Sequence, residues 1–237
     1  GILHHLIADL VERGYNVVVY DQPGHGLSDG PRADIASFAD YVAVFRNILQ
    51  LCRNEWNLPG PHHIVAHSLG AAVVTDYLAF ERPALGSGKV LFVAPLVRSA
   101  HWRLSGLGNF VVGRVTDSVQ RVFRNNSQDK VFRRFLKADP LQPRTVPFSW
   151  VQAHRAWVRR IAQATPDPER RLDILQGTAD NVVAATYNVA FLTTLFPRTR
   201  LSFFKKGGHQ LLNEEDALRR QVLERLAEVL AEPTPGD

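Results

Sequence analysis

One serine in this chain is surrounded by the small residues that a sharp strand-to-helix turn requires. Ser68 follows a short apolar run and precedes a helix-like run, with Ala66 two positions before it and Gly70 two positions after it. Such a turn brings those two positions close together, so only small residues fit there. The turn also presents the hydroxyl at the carboxyl edge of a sheet and leaves the next backbone N–H, that of Leu69, free to bind an oxyanion. Ser68 is therefore the candidate nucleophile.

Two later segments each combine a short apolar strand, a glycine turn and a titratable residue. Asp180 follows the segment 172–178, and His209 follows the segment 201–208. The carboxyl ends of parallel strands lie along one edge of a sheet, so these two residues and Ser68 are expected to converge there. His209 would then take the proton of the serine, and Asp180 would orient the imidazole.

Other residues compete for these roles. Asp173 is the alternative acid, but it lies inside its strand rather than beyond the glycine turn, so we favour Asp180. His67 adjoins Ser68, but consecutive side chains of a strand point to opposite faces. His25 belongs to a glycine-rich loop, where we expect it to fix the turn. Core or surface roles are expected for the remaining histidines, which are His4, His5, His62, His63, His101 and His154.

The elements that would position these residues alternate along the chain. Strands are expected at residues 16–20, 62–67, 89–94, 172–176 and 201–205. Helices are expected at residues 4–13, 37–56, 70–81, 183–195 and 214–231, the second of them capped by Ser37. Strands that alternate with helices favour a parallel sheet with helices on both faces. The sequence therefore predicts an α/β fold.

With these motifs in place, the chain resembles the α/β-hydrolase superfamily. The segment 21–30, DQPGHGLSDG, is similar to the D-x-x-G-x-G-x-S-x-G loop of the branch that contains monoacylglycerol lipases and lysophospholipases, the serine aminopeptidase S33 group. The A-H-S-L-G sequence around Ser68 resembles the bacterial lysophospholipase L2 type. The resemblance implies a serine ester hydrolase that acts on a lysophospholipid or a monoacylglycerol through an acyl-enzyme, with no cofactor and no metal.

The alternation of strands and helices stops between residues 97 and 170. This stretch shows helical patterns at 108–124, 127–136 and 147–164, with no convincing strand. The resemblance implies that residues 97–170 form a helical cap over the active site, while residues 1–96 and 171–237 form the hydrolase core. Its aromatic residues are expected mostly to pack the cap's own core, and a few to line an acyl pocket or a lipid-facing surface: Trp102, Phe110, Phe123, Phe132, Phe135, Phe148, Trp150 and Trp157.

Charge is unevenly distributed along the chain. Residues 97–170 carry 14 Lys and Arg against 5 Asp and Glu, whereas the remainder carries 14 against 18. The excess is either a solvated surface or a face that contacts anionic lipid or phosphate head groups. Nucleic acid is disfavoured, because no nucleic-acid-binding motif is present. No apolar run reaches transmembrane length, and we expect a protein that is cytoplasmic or peripheral at the inner membrane face. The single cysteine, Cys52, excludes an internal disulfide.

Two further expectations concern the segment upstream of the chain and the alternative functions. The chain contains no methionine, and no His-Gly motif precedes the strand expected at residues 16–20. We therefore expect an N-terminally truncated chain whose first three family strands, and the second oxyanion donor, lie upstream of Gly1. Two other functions remain open. One is an aminopeptidase of the same fold, whose cap would carry carboxylates. The other is a non-catalytic binding protein that kept the fold.

Overall fold

A computed structural model describes residues 2–58, 60–100, 102, 118–120 (backbone only) and 126–233. Its described α-helices are α1 (His4–Glu12), α2 (Phe38–Gln50), α3 (Leu69–Glu81), α4 (Lys130–Ala138), α5 (Phe148–Ile161), α6 (Ala185–Leu195) and α7 (Asp216–Ala231). The strands are β1 (Ile64–His67), β2 (Val90–Val93), β3 (Ser118–Gln120), β4 (Thr145–Pro147), β5 (Arg171–Gly177) and β6 (Arg198–Phe204).

Four of the strands form one sheet in the order β1-β2-β5-β6. All three pairings in this sheet are parallel, so the carboxyl ends of the four strands meet at a single edge. The loops that carry Ser68, Asp180 and His209 all leave the sheet at this edge. The predicted α/β class, with a parallel sheet at its centre, is confirmed.

Alternate residues of the strands face two separate hydrophobic layers. One face packs against α2, α3, α5 and α6 through the buried side chains of Ile64, Ala66, Val90, Phe92, Leu172 and Ile174. The opposite face packs against α1 and α7 through Leu91, Val93, Leu175 and Phe204. This period of two follows from the pleat of a strand and covers both faces of the sheet.

Most of the expected elements are present, with boundaries that differ by a few residues. The hydroxyl of Ser37 accepts a hydrogen bond from the backbone N–H of Ala39 and caps α2, as predicted. The expected helix at 37–56 ends earlier, because its last turn changes to a π-helical turn at Leu51–Glu55. Cys52 is buried.

The strand expected at residues 16–20 is wrong for the described part of the chain. This segment runs without regular secondary structure, and Val18 and Val19 are 38% and 49% exposed. None of the described strands pairs with it. An apolar run becomes a strand only when a neighbouring strand satisfies its backbone groups, and the sequence pattern does not test for that neighbour.

The expectation of no strand within residues 97–170 is also wrong. The short strands β3 and β4 pair in an antiparallel manner, apart from the main sheet. The helix expected at 108–124 is contradicted where β3 lies, and its remaining residues are outside the described part of the chain. The helices expected at 127–136 and 147–164 correspond to α4 and α5.

The described aromatic residues of this stretch pack mainly against one another and against α2. Phe38 of α2 stacks on Trp157, and His154 stacks on both Trp150 and Trp157. Phe132 and Phe148 are buried, whereas Phe135 is exposed. Phe110 and Phe123 lie outside the described residues. The division into core and cap stays a prediction.

Candidate active site

Ser68 lies at a strained turn between β1 and α3. Its backbone has φ 52° and ψ −113°, in the left-handed half of the map that residues other than glycine rarely adopt. A Cβ added to Gly70 would lie 3.8 Å from the Cβ of Ala66, so the positions on either side of the serine are indeed close. The methyl group of Ala66 fits this space without a clash. Leu69 is the first residue of α3, and its N–H therefore has no acceptor within the helix.

The structure brings Ser68, His209 and Asp180 together. The Nε2 atom of His209 lies 2.9 Å from the Oγ atom of Ser68, and its Nδ1 atom lies 2.9 Å from the Oδ2 atom of Asp180. An ionised carboxylate only accepts hydrogen bonds, so Nδ1 carries the proton and Nε2 accepts from the serine hydroxyl. This is the arrangement in which an imidazole can remove a proton from a serine.

The surroundings of Asp180 keep its carboxylate ionised. Burial would raise the pKa of Asp180, but its hydrogen bond and charge interaction with His209, together with the N–H groups of Val182 and Val183, lower it overall. The Oδ1 atom accepts from those two N–H groups at 2.9 and 3.2 Å, and Gln176 donates to Oδ2 at 3.1 Å. The carboxylate is therefore held in position from several sides.

Asp173, the alternative acid, is engaged elsewhere. It lies within β5, and its Oδ1 atom accepts from Arg200 at 2.7 Å. Arg171 lies 3.8 Å from its other oxygen. This carboxylate forms part of an ion-pair cluster and makes no described contact with His209.

Close contact between the ends of β5 and β6 brings the acid and the histidine together. A Cβ at Gly177 would lie 2.2 Å from the carbonyl oxygen of Gly207, a distance that no side chain tolerates. The N–H of Ala179 also donates to that oxygen at 2.9 Å. The glycines thus allow the loop of Asp180 to lie directly against the loop of His209.

His67 supports the loop that carries the candidate base. Its Nε2 atom lies 3.0 Å from the carbonyl oxygen of His209. Burial, and then the neighbouring His209, lower the pKa of His67 to about 4, so it is neutral near pH 7. Since the carbonyl only accepts, Nε2 of His67 must carry the proton. The sequence excluded His67 as a base but gave no signal of this supporting role.

Glu214 holds the same loop from the other side. Its side chain is fully buried, and its Oε1 atom accepts from the N–H of Gly208 at 2.6 Å. The Oε2 atom accepts from the N–H of Gln128 at 2.6 Å, on the segment that leads into α4. Next to it, the N–H of Gln210 donates to the carbonyl of Asn126 at 2.8 Å. Glu214 is not recognisable from the sequence, because an acidic residue at the start of a helix is usually explained by the helix dipole alone.

The glycine-rich loop at residues 21–30 has a structural role in this geometry. Oδ2 of Asp21 accepts from the N–H of Leu27 at 2.9 Å, and the Ser28 hydroxyl donates to the Asp21 carbonyl at 2.7 Å. A Cβ at Gly26 would overlap the Asp21 carboxylate. His25 Nδ1 lies 3.0 Å from the carbonyl of Pro23, which agrees with the expectation that it fixes the turn.

Comparison with known proteins assigns the chain to a family. A family model described as serine aminopeptidase, S33, matches residues 1–216. The chain belongs to the serine aminopeptidase S33 family. This S33-family chain is 26% identical over 238 residues to a probable lysophospholipase L2 from Haemophilus influenzae, an alignment that covers 92% of the chain and 75% of the relative. A monoacylglycerol lipase from Mycolicibacterium smegmatis is 29% identical over 77 residues, which are 32% of the chain and 27% of that relative.

Solved structures show the fold of the S33-family chain. A monoacylglycerol lipase from Paleococcus ferrophilus superposes with a TM-score of 0.76 at 21% identity, covering 96% of this chain and 89% of the other. A soluble variant of monoglyceride lipase from Saccharomyces cerevisiae gives a TM-score of 0.77 at 16% identity, covering 97% and 81%. Mouse α/β hydrolase domain-containing protein 10 gives 0.62 at 14% identity, covering 96% and 82%. The α/β-hydrolase fold predicted from the sequence is confirmed.

Proposed function

We propose that the protein is a serine hydrolase of carboxylic esters that acts on a single-chain lipid ester, a lysophospholipid or a monoacylglycerol. The observation that carries the proposal is the hydrogen-bonded series from Ser68 through His209 to Asp180, with the serine on a strained turn. The names of the relatives, a probable lysophospholipase L2 and monoacylglycerol lipases, support a lipid ester as substrate.

The proposed reaction passes through an acyl-enzyme. The Oγ atom of Ser68 attacks the ester carbonyl while Nε2 of His209 takes the hydroxyl proton, and Asp180 stabilises the imidazolium that forms. The N–H of Leu69 donates to the oxyanion of the tetrahedral intermediate. Collapse of the intermediate breaks the ester bond, and the imidazolium gives its proton to the leaving alcohol. Water, deprotonated by His209, then attacks the acyl-enzyme and releases the fatty acid and free Ser68.

The test is covalent labelling combined with substrate hydrolysis. A fluorophosphonate probe should label the wild type and should not label Ser68→Ala. The same substitution should lower kcat on a monoacylglycerol by about 10⁶-fold, since the triad acts as a unit. Equal labelling of both proteins would rule out Ser68 as the nucleophile. Release of the N-terminal residue from a peptide, without ester hydrolysis, would favour the aminopeptidase alternative.

We also propose peripheral contact with anionic membrane surfaces through α4. This helix is strongly amphipathic, with Phe132 and Leu136 buried and Val131 and Phe135 exposed. Its exposed apolar residues stand beside Lys130, Arg133, Arg134 and Lys137. Among the described residues, none of the helices is long and apolar enough to cross a membrane.

Electrostatic attraction would supply this contact, at about 1 kcal/mol for each cation near the lipid surface. Replacing both Arg133 and Arg134 with glutamine should lower the rate on anionic vesicles but not on a short soluble ester. Added salt should have the same effect on the wild type, by screening. A vesicle rate that responds to neither change would mean that these cations are only solvated. Arg121 and Arg124, which belong to the same basic stretch, lie outside the described residues.

A further inference from the structure

Two arginines, Arg98 and Arg155, combine an unsatisfied buried nitrogen with the lack of an ion pair to a described carboxylate, and this combination sets them apart among the described arginines. Nine arginines form ion pairs with a carboxylate, namely Arg13, Arg46, Arg160, Arg170, Arg171, Arg198, Arg200, Arg219 and Arg225. Arg98 and Arg155 are partly buried, yet neither pairs with a described carboxylate. The Nε atom of Arg98 and the Nη1 atom of Arg155 are both buried without a hydrogen-bond acceptor. Partly buried cations of this kind are ready to bind an anion.

The two guanidinium groups contact the same aromatic ring. The Cζ atom of Arg98 lies 5.6 Å from the centroid of the Trp102 ring, and that of Arg155 lies 4.9 Å from the same centroid. Arg98 also stacks on Tyr187 at 3.7 Å. Cation–π contacts fix the planes of the guanidinium groups and offset part of their desolvation, but leave their N–H donors unused. The cluster of Arg98, Trp102 and Arg155 therefore presents two positive charges with unmet hydrogen-bonding capacity.

The backbone beneath Arg98 is held rigidly. Asn188, which is fully buried on α6, accepts from the N–H of Arg98 at 2.8 Å and donates to its carbonyl at 3.0 Å. The same amide group donates to the carbonyl of Pro95 at 3.0 Å. His154 of α5 lies 3.1 Å from the carbonyl of Val97 and must donate to it. A binding residue on such a support needs little ordering when a ligand arrives.

The loop that carries Arg98 also lies next to the candidate triad. The N–H of Leu96 donates to the carbonyl of Ser68 at 3.2 Å. Ser99 forms a β-bridge with Val183, whose own N–H donates to the carboxylate of Asp180. Arg98 thus stands on a segment between the nucleophile and the loop of the acid, and Arg155 of α5 contacts the same Trp102 ring as Arg98. A group joined to the scissile ester by a short linker is in the right region to reach them.

We propose that Arg98 and Arg155, arranged around Trp102, bind the phosphate of a lysophospholipid head group. This inference rests on the proposed lipid-ester hydrolase and assigns its substrate class. A guanidinium presents paired N–H donors that match two phosphate oxygens, and two such groups suit a phosphodiester linked to the ester through glycerol. The same cations disfavour the cationic N-terminus that an aminopeptidase must hold.

The test compares two soluble substrates that differ only in the head group. One is a short-chain lysophosphatidylcholine and the other is the monoacylglycerol with the same acyl chain, both used below their micelle concentrations. Phosphocholine has no net charge, so the overall positive field of the protein does not favour this substrate. In the double variant Arg98→Gln/Arg155→Gln, the ratio of kcat/KM for the phosphate ester to that for the neutral ester should fall about 10- to 100-fold. The loss should appear in KM, because the phosphate contact is the same in the ground and transition states.

Two further variants serve as controls. Arg220→Gln removes one charge from an exposed position on α7, and should leave the substrate ratio within about twofold of the wild type. Arg98→Lys keeps the charge but loses the planar pair of donors, so it should give an intermediate ratio. An unchanged ratio in the double variant, or an equal loss with Arg220→Gln, would overturn the assignment.

A binding measurement separates this inference from the proposed function. Calorimetry with glycerophosphocholine, which has no acyl chain, should detect saturable binding to the wild type and none to the double variant. Inorganic phosphate at the same ionic strength should bind more weakly, because it lacks the glycerol linker. If the wild type hydrolyses neither ester, the proposed function fails, and calorimetry still decides the subsite. If the wild type hydrolyses the monoacylglycerol but does not bind glycerophosphocholine, the subsite alone is wrong.

Discussion

The two ends of β5 each hold a buried aspartate against a cation, but the cations differ. At the amino end, Asp173 pairs with Arg200, which also pairs with Glu232 at the end of α7. At the carboxyl end, Asp180 binds the imidazole of His209. An arginine stays charged at every physiological pH, whereas a histidine gains and loses its proton near neutrality. The first pair is therefore suited only to hold the strands together, and the second can take part in proton transfer.

The pKa values of the two aspartates shift in opposite directions. Burial raises the pKa of Asp173, and the ion pair with Arg200 does not fully offset this effect. Glu232 also pairs with Arg200, and this contact lowers the pKa of Glu232 to about 2. For Asp180, by contrast, contacts with His209 and two backbone N–H groups outweigh burial and lower the pKa. The carboxylate at the candidate site is thus the better stabilised anion, although both carboxylates are buried.

The largest expected difference between the two ends lies in activity. Asp180→Asn should lower kcat by about 10⁴-fold, because the amide no longer holds the histidine tautomer that accepts the serine proton. Asp173→Asn should change kcat less than threefold, since it touches no part of the relay. Both variants are assayed on a monoacylglycerol after their circular dichroism spectra have been compared. A severe loss in Asp173→Asn with a silent Asp180→Asn would reverse the roles assigned to the two ends.

A partly buried histidine that hydrogen-bonds to a carbonyl rather than to a carboxylate sharpens the comparison. His67 has a pKa of about 4 in the folded protein against 6.5 when unfolded. As the pH falls from 6.5 to 4, His67 takes up a proton in the unfolded chain but not in the folded protein. The free energy of unfolding therefore decreases across this pH range. A shift of this size corresponds to about 3 kcal/mol.

The free energy of unfolding in urea, measured at pH 7 and pH 4.5, tests this linkage. His67→Gln keeps a donor for the carbonyl of His209 but does not titrate. Between pH 7 and pH 4.5, the free energy of unfolding of this variant should therefore decrease less than that of the wild type. Identical pH dependence in the two proteins would mean that His67 takes up its proton equally well in the folded and unfolded states, and would contradict this linkage.

The sequence predicted which residues meet at the candidate site more completely than it predicted the elements around them. Ser68, Asp180 and His209 were recognisable because glycine turns and small neighbours mark strand ends locally. Residues 16–20 and the β3–β4 pair were misjudged, because strand pairing depends on partners distant in the chain. His67, Glu214 and the Arg98 cluster left no local signal either. Their contacts with His209, Gln128 and Asn188 join residues 86 to 142 positions apart, although Glu214 also reaches Gly208 nearby. The anion site was further suggested by hydrogen bonds that the arginines fail to form.

A smaller effect is expected from the carboxylate that positions the histidine loop. Glu214→Gln replaces a carboxyl group, whose two oxygens each accept from a backbone N–H, with an amide that can accept with only one of its two terminal atoms. The other atom would place its own N–H against a backbone donor. A misplaced His209 should lower kcat about 10- to 100-fold with little change in KM.

Fluorophosphonate labelling kinetics test this prediction without any assumption about the substrate. The labelling rate of Glu214→Gln should fall with its kcat, and Glu224→Gln, an exposed change on α7, serves as the control. A fall in thermal stability with an unchanged labelling rate would show that Glu214 only stabilises the fold.

The smallest effect is expected at the amino end of β5, where a substitution of Asp173 should change stability but not activity. Asp173→Asn removes one partner of Arg200, but Glu232 remains, so the free energy of unfolding at pH 7 should fall by only about 1–2 kcal/mol.

The pH dependence gives a sharper test. The pKa of Asp173 is raised in the folded protein, so the folded state holds the carboxyl proton more tightly than the unfolded chain does. The contribution of Asp173 to stability therefore decreases as the pH rises from its unfolded pKa through its folded pKa. The difference in stability between wild type and Asp173→Asn should therefore be larger at pH 4 than at pH 7, the opposite of the trend for Asp180→Asn. If urea unfolding shows the same trend for both variants, Arg200 stabilises the Asp173 carboxylate as well as His209 stabilises that of Asp180. The two ends of β5 would then differ only in whether the cation can give up a proton.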